Sequence, residues 1–118
     1  MKEDNLIVSK SMDYAVRIVR LYQYLISEKK EYFLSKQILK SGTSVGANVK
    51  EAERGQSKPD FISKMSIALK ECSETEYWPE LLYKTDYISE KLYSSLYADN
   101  QELLKILTSI INSSRRNQ

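Results

Sequence analysis

The chain has 118 residues, 42% hydrophobic and 29% charged, with 3 Gly, 2 Pro and a formal net charge of +2, which fits one helix-rich domain and excludes a separate substrate domain, a strand-and-turn fold and a disordered tail. It has no histidine and a single cysteine, Cys72, which excludes imidazole acid/base chemistry, Ser-His and Cys-His pairs, helical di-iron ligand sets, an intramolecular disulfide and a thiolate zinc site, so no cofactor and no metal are expected. No run of about 18 apolar residues occurs, and MKEDNLIVSKS at the start carries acids where a signal peptide would begin its apolar core, so a soluble cytoplasmic protein without membrane contact is expected.

The first predicted helix spans about residues 5–30. Met12, Ala15, Ile18, Val19, Tyr22, Leu25 and Ile26 recur at three- and four-residue steps and form the expected core stripe, with Lys10, Asp13, Arg17, Arg20 and Tyr24 on the opposite face. A polar connection, EKKEY, leads to Phe33-Leu34-Ser35. There Ser35 is the expected N-cap, and Leu34 and Leu39 are the expected partners of a hydrophobic staple.

The second predicted helix runs over 35–54 and stops at Gly55, expected as the residue after the C-cap. Ile38, Gly42, Val45, Gly46, Val49 and Ala52 fall on one side, and Lys36, Lys40, Thr43, Ala47, Lys50 and Arg54 on the other. A glycine inside a helix costs about 1 kcal/mol relative to alanine, so two of them four residues apart need a reason. The segment KSGTSVGANVKEAERGQS lacks the Gly-Lys-Ser/Thr ending of a phosphate loop. Gly42, Val45, Gly46 and Val49 are therefore read as a face on which a neighbouring helix packs closely.

Ser57-Lys58-Pro59-Asp60 has the spacing of a capping box with Asp in place of Glu and opens a third helix over about 58–85, with Phe61, Met65, Ala68, Leu69 and Cys72 inward. Pro79 lies inside it and predicts a kink or local break near residues 75–79. Cys72 is expected to be a small buried apolar residue. Glu71, Glu74, Glu76 and Glu80 cluster on this helix without a base among residues 71–83. A metal site would need carboxylates converging from more than one helix, which leaves a solvated face or a pairing with the basic stripe of a neighbouring subunit.

Ser89 is the expected cap of a fourth helix over 89–112, with Leu92, Leu96, Leu103, Ile106, Leu107 and Ile110 inward and the tail NSSRRNQ frayed. Short connections between four long helices give an all-α, antiparallel up-down-up-down four-helix bundle. Charge is segregated along the chain: residues 1–70 hold 13 Lys and Arg against 8 Asp and Glu, a net +5, whereas residues 71–118 hold 5 against 8, a net −3. Such asymmetry serves either an acidic partner such as RNA or head-to-tail contact between copies of the chain.

The run SGTSVGANVKEA (Ser41 to Ala52), then QSKPDFISKMSIALKECSETEYW (Gln56 to Trp78) and Leu81-Leu82, resembles the 23S ribosomal RNA intervening-sequence protein (S23) family, named after reading frames inside intervening sequences of bacterial large-subunit ribosomal RNA genes. The likeness is carried by a small-residue helix with Asn48 and Glu51, followed by a Ser-x-x-Phe helix with an Ala-x-x-Glu-x-x-Glu continuation. It implies a four-helix bundle assembled into a ring-like homo-oligomer, a pentamer. A related group serves diversity-generating reverse transcriptases as accessory subunits, with the basic surface of the oligomer against polymerase and nucleic acid. The sequence departs from the family pattern after Asn48, where the helix continues to Gly55, and at Pro79.

Lys36, Lys40, Lys50 and Arg54, with Arg17 and Arg20 outward on the first helix, form the stripe that resembles a nucleic-acid footprint, the other reading being a solvated face. The nine tyrosines are placed at bundle edges and subunit contacts or, alternatively, under stacked bases. Asn48 and Glu51 make either an inter-helix bond or a subunit contact. With no nucleophile paired to a base, the chain is expected to be a non-catalytic oligomeric adaptor that binds structured RNA or a nucleic-acid enzyme such as a reverse transcriptase. The alternative is an oligomeric protein scaffold without a nucleic-acid role.

Overall fold

Apolar residues at helical spacing build four helices: α1 (Lys2–Ser27), α2 (Leu34–Glu53), α3 (Lys58–Lys84) and α4 (Glu90–Arg116). The structure is a computed structural model and describes Lys2 to Asn117, apart from the Glu3 side chain; among these residues there is no strand. Each helix packs on two neighbours in the cyclic order α1, α2, α3, α4, and no Cα atoms of the diagonal pairs come within 8 Å. Ile18 and Leu25 from α1, Ile38 and Val45 from α2, Met65, Ala68 and Leu82 from α3, and Leu96, Leu103 and Leu107 from α4 meet in one core. No helix of the described residues is long and apolar enough to cross a membrane.

Two helix starts follow the sequence signals. The Ser57 hydroxyl accepts the Asp60 amide at 3.2 Å, and the Ser89 hydroxyl accepts the Leu92 amide at 3.1 Å. The start of α2 does not. Ser35 lies inside the helix, buried, and its hydroxyl donates to the Glu31 carbonyl at 2.8 Å. The cap is Glu31, whose carboxylate accepts the amides of Phe33, Leu34 and Ser35 at 3.2, 3.0 and 2.7 Å. A charged acceptor for three orphan amides outcompetes a hydroxyl.

Three further expectations are corrected, and a fourth, Gly55 after the C-cap, holds for a reason of its own. On α1 the buried set is Ile7, Ser11, Tyr14, Ile18, Leu21 and Leu25, while Met12, Val16 and Val19 stay 58%, 45% and 37% exposed; Ile18 and Leu25 are core as expected, but the core face is centred about 75° from the expected one. Helix α3 runs through the buried Pro79 without the local break expected near residues 75–79. The tail does not fray before Arg116, and the Asn117 carbonyl accepts Lys58 Nζ at 3.1 Å. Gly55 follows the C-cap without a positive φ; a Cβ there would stand 2.9 Å from Asp60 Oδ2 and 3.1 Å from the Ala52 carbonyl, so space selects it.

One polar knot sits within the core. Asn100 Nδ2 donates to the Cys72 carbonyl at 2.8 Å and to the Tyr14 hydroxyl at 3.3 Å, and the Cys72 thiol lies 3.5 Å from the Asn100 carbonyl. These bonds tie α1, α3 and α4 at one level and satisfy groups that would otherwise be costly to bury. Burial, helped by Glu76, pushes the Cys72 thiol up to about 12, and burial also raises the Tyr14 hydroxyl.

Candidate nucleic-acid interface

Burying Ile38, Gly42, Val45, Val49 and Ala52 turns the opposite side of α2 to solvent, and Lys36, Lys40, Lys50 and Arg54 are all exposed on it. None of the four makes an ion pair with a described residue. From Lys36 to Arg54 the stripe is about 27 Å long at 1.5 Å per residue. Cations without carboxylate partners, arrayed along a rigid element, suit a polyanion.

The two arginines of α1 part company with this stripe. Arg17 donates through Nη1 to Asp99 Oδ2 at 2.7 Å and to Ser95 Oγ at 3.0 Å, both on α4. With Lys10–Glu102 at 3.2 Å it forms the ionic seam between α1 and α4, and its charge is neutralised there. Arg20 stays exposed beside Val16, Val19 and Gln23. Of the two polar residues marked by resemblance, Asn48 donates to the Ser44 carbonyl at 2.8 Å within its own helix. Glu51 reaches α3, 3.8 Å from Lys64 Nζ.

The glycine face does what its spacing predicts. A Cβ on Gly42 would stand 2.8 and 2.9 Å from the two γ carbons of Ile18, and one on Gly46 would stand 3.3 Å from the Ser11 carbonyl. Val45 and Val49 are buried next to them. Beside this contact, on the outer side of α1 and α2, runs an apolar groove lined by Val8, Met12, Ala15, Gly46, Ala47 and Lys50. The sequence reading missed it by assigning Met12, Ala15 and Val19 to the core.

Because the helices follow a cyclic order, the outer seam of α3 and α4 lies on the opposite edge. Tyrosines line it: Tyr83 stacks on Tyr93 with ring centroids 5.2 Å apart, and the exposed Tyr97 lies 6.0 Å from Tyr93. Glu80 pairs with Lys84 at 3.1 Å on the same helix. Among the described residues no group of three or more His, Cys, Asp or Glu is placed to hold a metal ion.

The turn between α1 and α2 carries a further exposed group. Phe33 is 82% and Tyr32 49% exposed, and Lys29, Lys30 and Lys36 are exposed around them. Reading EKKEY as a mere connection overlooked this group; the signal was the pair of cations followed by the pair of aromatics in KKEYF, three residues before Lys36.

The sequence pattern of the family described as 23S rRNA-intervening sequence protein matches residues 3–109. A crystal structure of a protein of unknown function from the S23 ribosomal protein family of Bacteroides thetaiotaomicron is 55% identical in sequence and superposes with a TM-score of 0.92, over 93% of this chain and 98% of that one. No curated protein matches the chain.

Proposed function

The chain belongs to the 23S rRNA-intervening sequence protein family, and on that premise we propose that it is a non-catalytic, homo-oligomeric adaptor of the cytoplasm that binds structured RNA, or a nucleic-acid enzyme carrying it, through the basic face of α2. The observation that carries this reading is the row of four exposed cations, Lys36, Lys40, Lys50 and Arg54, none paired to a carboxylate of a described residue. Their spread along one helix puts several phosphates within reach at once. Repetition in an oligomer multiplies a weak patch by avidity.

The subunit of this adaptor is an antiparallel up-down-up-down bundle. The approach of Gly46, late in α2, to Ser11, early in α1, and of Gly42 to Ile18 further along supports that direction. A ring, a pentamer as the family resemblance implies, needs an adhesive edge. The exposed Met12, Val16 and Val19 beside the groove support one on α1, and the tyrosine seam of α3 and α4 supports its counterpart. The same two edges favour the second reading, an oligomeric scaffold that meets only proteins.

Salt separates the two readings. Affinity for a short structured RNA should fall linearly in log–log form with salt, and each of Lys40→Glu, Lys50→Glu and Arg54→Glu should lower the slope by about 0.7–0.9 per lost contact. Light scattering on the same samples follows the assembly. A discrete oligomer with no RNA affinity at low salt would leave the scaffold reading in place of the adaptor.

A further inference from the structure

At the turn between α1 and α2, two positions hold residues that local structure would not select. Lys30 sits at φ 53, in the left-handed region, where glycine is at ease and a lysine is strained. Phe33 occupies the N-cap position of α2, where Ser, Thr, Asp or Asn is favoured. The left-handed backbone of Lys30 turns the chain out of α1, with the Glu31 amide donating to the Leu25 carbonyl at 3.0 Å, but its side chain stays exposed. The capping is done by the Glu31 carboxylate, which takes up the amides of Phe33, Leu34 and Ser35. Phe33 is 82% exposed, so its ring buries little apolar area.

An exposed cation and an idle, exposed aromatic ring three residues apart in one turn point to chemistry outside the chain. Around Phe33 stand Tyr32, 49% exposed, and the exposed Lys29, Lys30 and Lys36. Lys29 Nζ hangs 6.0 Å from the centre of the Tyr24 ring. Within residues 28–36 the acids are Glu28, exposed, and Glu31, whose carboxylate is engaged with α2. The surface is therefore cationic with flat apolar rings rising from it.

We propose that this tip binds an unpaired nucleic-acid strand, with bases stacked on Phe33 and Tyr32 and phosphates met by Lys29, Lys30 and Lys36. The inference rests on the nucleic-acid reading above and adds to it the state of the strand. A duplex hides its base faces and offers the tip only phosphates. A single strand offers both, and stacking is indifferent to sequence because every base has a π face. An anionic membrane satisfies the cations, but insertion needs an apolar face several residues wide, and here the exposed apolar surface is two rings.

The test compares a labelled 12-nucleotide oligo(U) with an RNA duplex of the same length by fluorescence anisotropy, using the intact chain. Phe33→Ala should weaken oligo(U) binding about tenfold or more, Phe33→Tyr should restore most of it, and duplex affinity and oligomer mass should not move. Lys30→Gly, which relieves the backbone, should lower the salt slope while leaving the fold more stable. Oligo(U) affinity unchanged in Phe33→Ala, a changed oligomer mass in that variant, or Phe33-dependent binding to phosphatidylserine vesicles would each overturn the inference. Duplex binding with no oligo(U) binding would overturn it and leave the adaptor reading standing, whereas no binding to either RNA would remove both.

Discussion

Gly42 stands where α1 and α2 come closest, and the reason is a single neighbour. Ile18 is fully buried and β-branched, so its γ carbons, 2.8 and 2.9 Å from where a Cβ would be, have little freedom to yield. Gly42→Ala gains helix propensity but overpacks this point, and the net loss should be about 1–3 kcal/mol by urea unfolding. Adding Ile18→Ala should make the two changes strongly non-additive; independent costs would mean that the contact is not what selects the glycine. Lys30→Gly runs the other way. Freed from its left-handed strain, the variant should gain about 0.5–1 kcal/mol, and a loss instead would show that the lysine side chain supports the turn. The core knot makes stability depend on pH. Cys72 has its pKa raised from 9.0 to about 12 in the fold, and Tyr14 is raised from 10.0, so above the ordinary values the unfolded chain has lost protons that the folded chain still holds. Their contribution is intact below about pH 9 and drains away as pH rises above it. The urea midpoint should fall from pH 8 to about pH 10.5, and less steeply in Cys72→Ala; an equal fall in both would assign the effect elsewhere.

Helix α2 shows what capping from outside the helix does to a sequence reading. The residues of α2 gave its faces correctly, because its buried positions and its cations are separate in type. Its start was misread, since Glu31 lies beyond the window in which a hydroxyl cap is sought, and nothing local reveals that its carboxylate folds back over three amides. Glu31→Ala should therefore destabilise the protein by about 2–3 kcal/mol, and Ser35→Ala by about 1 kcal/mol, in the same denaturant titration. The reverse order would restore the hydroxyl as the cap. Helix α1 was misread for a different reason. It carries two heptad stripes side by side: Ile7, Ser11, Tyr14, Ile18, Leu21 and Leu25, and one residue on, Val8, Met12, Ala15, Val19, Tyr22 and Ile26. The second contains no polar residue, so pattern alone prefers it to a stripe interrupted by Ser11. Packing prefers the first because Ser11 faces Gly46, its carbonyl 3.3 Å from where a Cβ on that glycine would stand, and in so close a contact smallness matters more than polarity. Asn100 escaped notice similarly: a buried asparagine becomes legible only when the Cys72 carbonyl and the Tyr14 hydroxyl are seen to receive it.

At the scale of the whole molecule, that surplus stripe on α1 and the tyrosine seam of α3 and α4 lie on opposite edges of a four-helix cycle. An oligomer that joins unlike edges is heterologous and closes as a ring or runs on as a filament, whereas one that joins like edges stops at a dimer. Val16→Glu places a charge on the exposed α1 stripe, where a monomer should feel about 0.5 kcal/mol or less. In the proposed oligomer the same charge is buried without a partner, so the mass in light scattering should drop at unchanged helical circular dichroism. Tyr97→Glu, on the opposite edge, should do the same. The decisive sample is the mixture of the two variants. Each retains one intact edge, and the two intact edges are complementary, so head-to-tail assembly predicts a one-to-one heterodimer that cannot grow further. If either variant alone keeps a dimer while the other falls to a monomer, the contact is isologous and lies on one edge only, and the ring is wrong. A wild-type mass equal to one chain would remove oligomerisation from the proposal and with it the avidity that makes four cations on one helix sufficient.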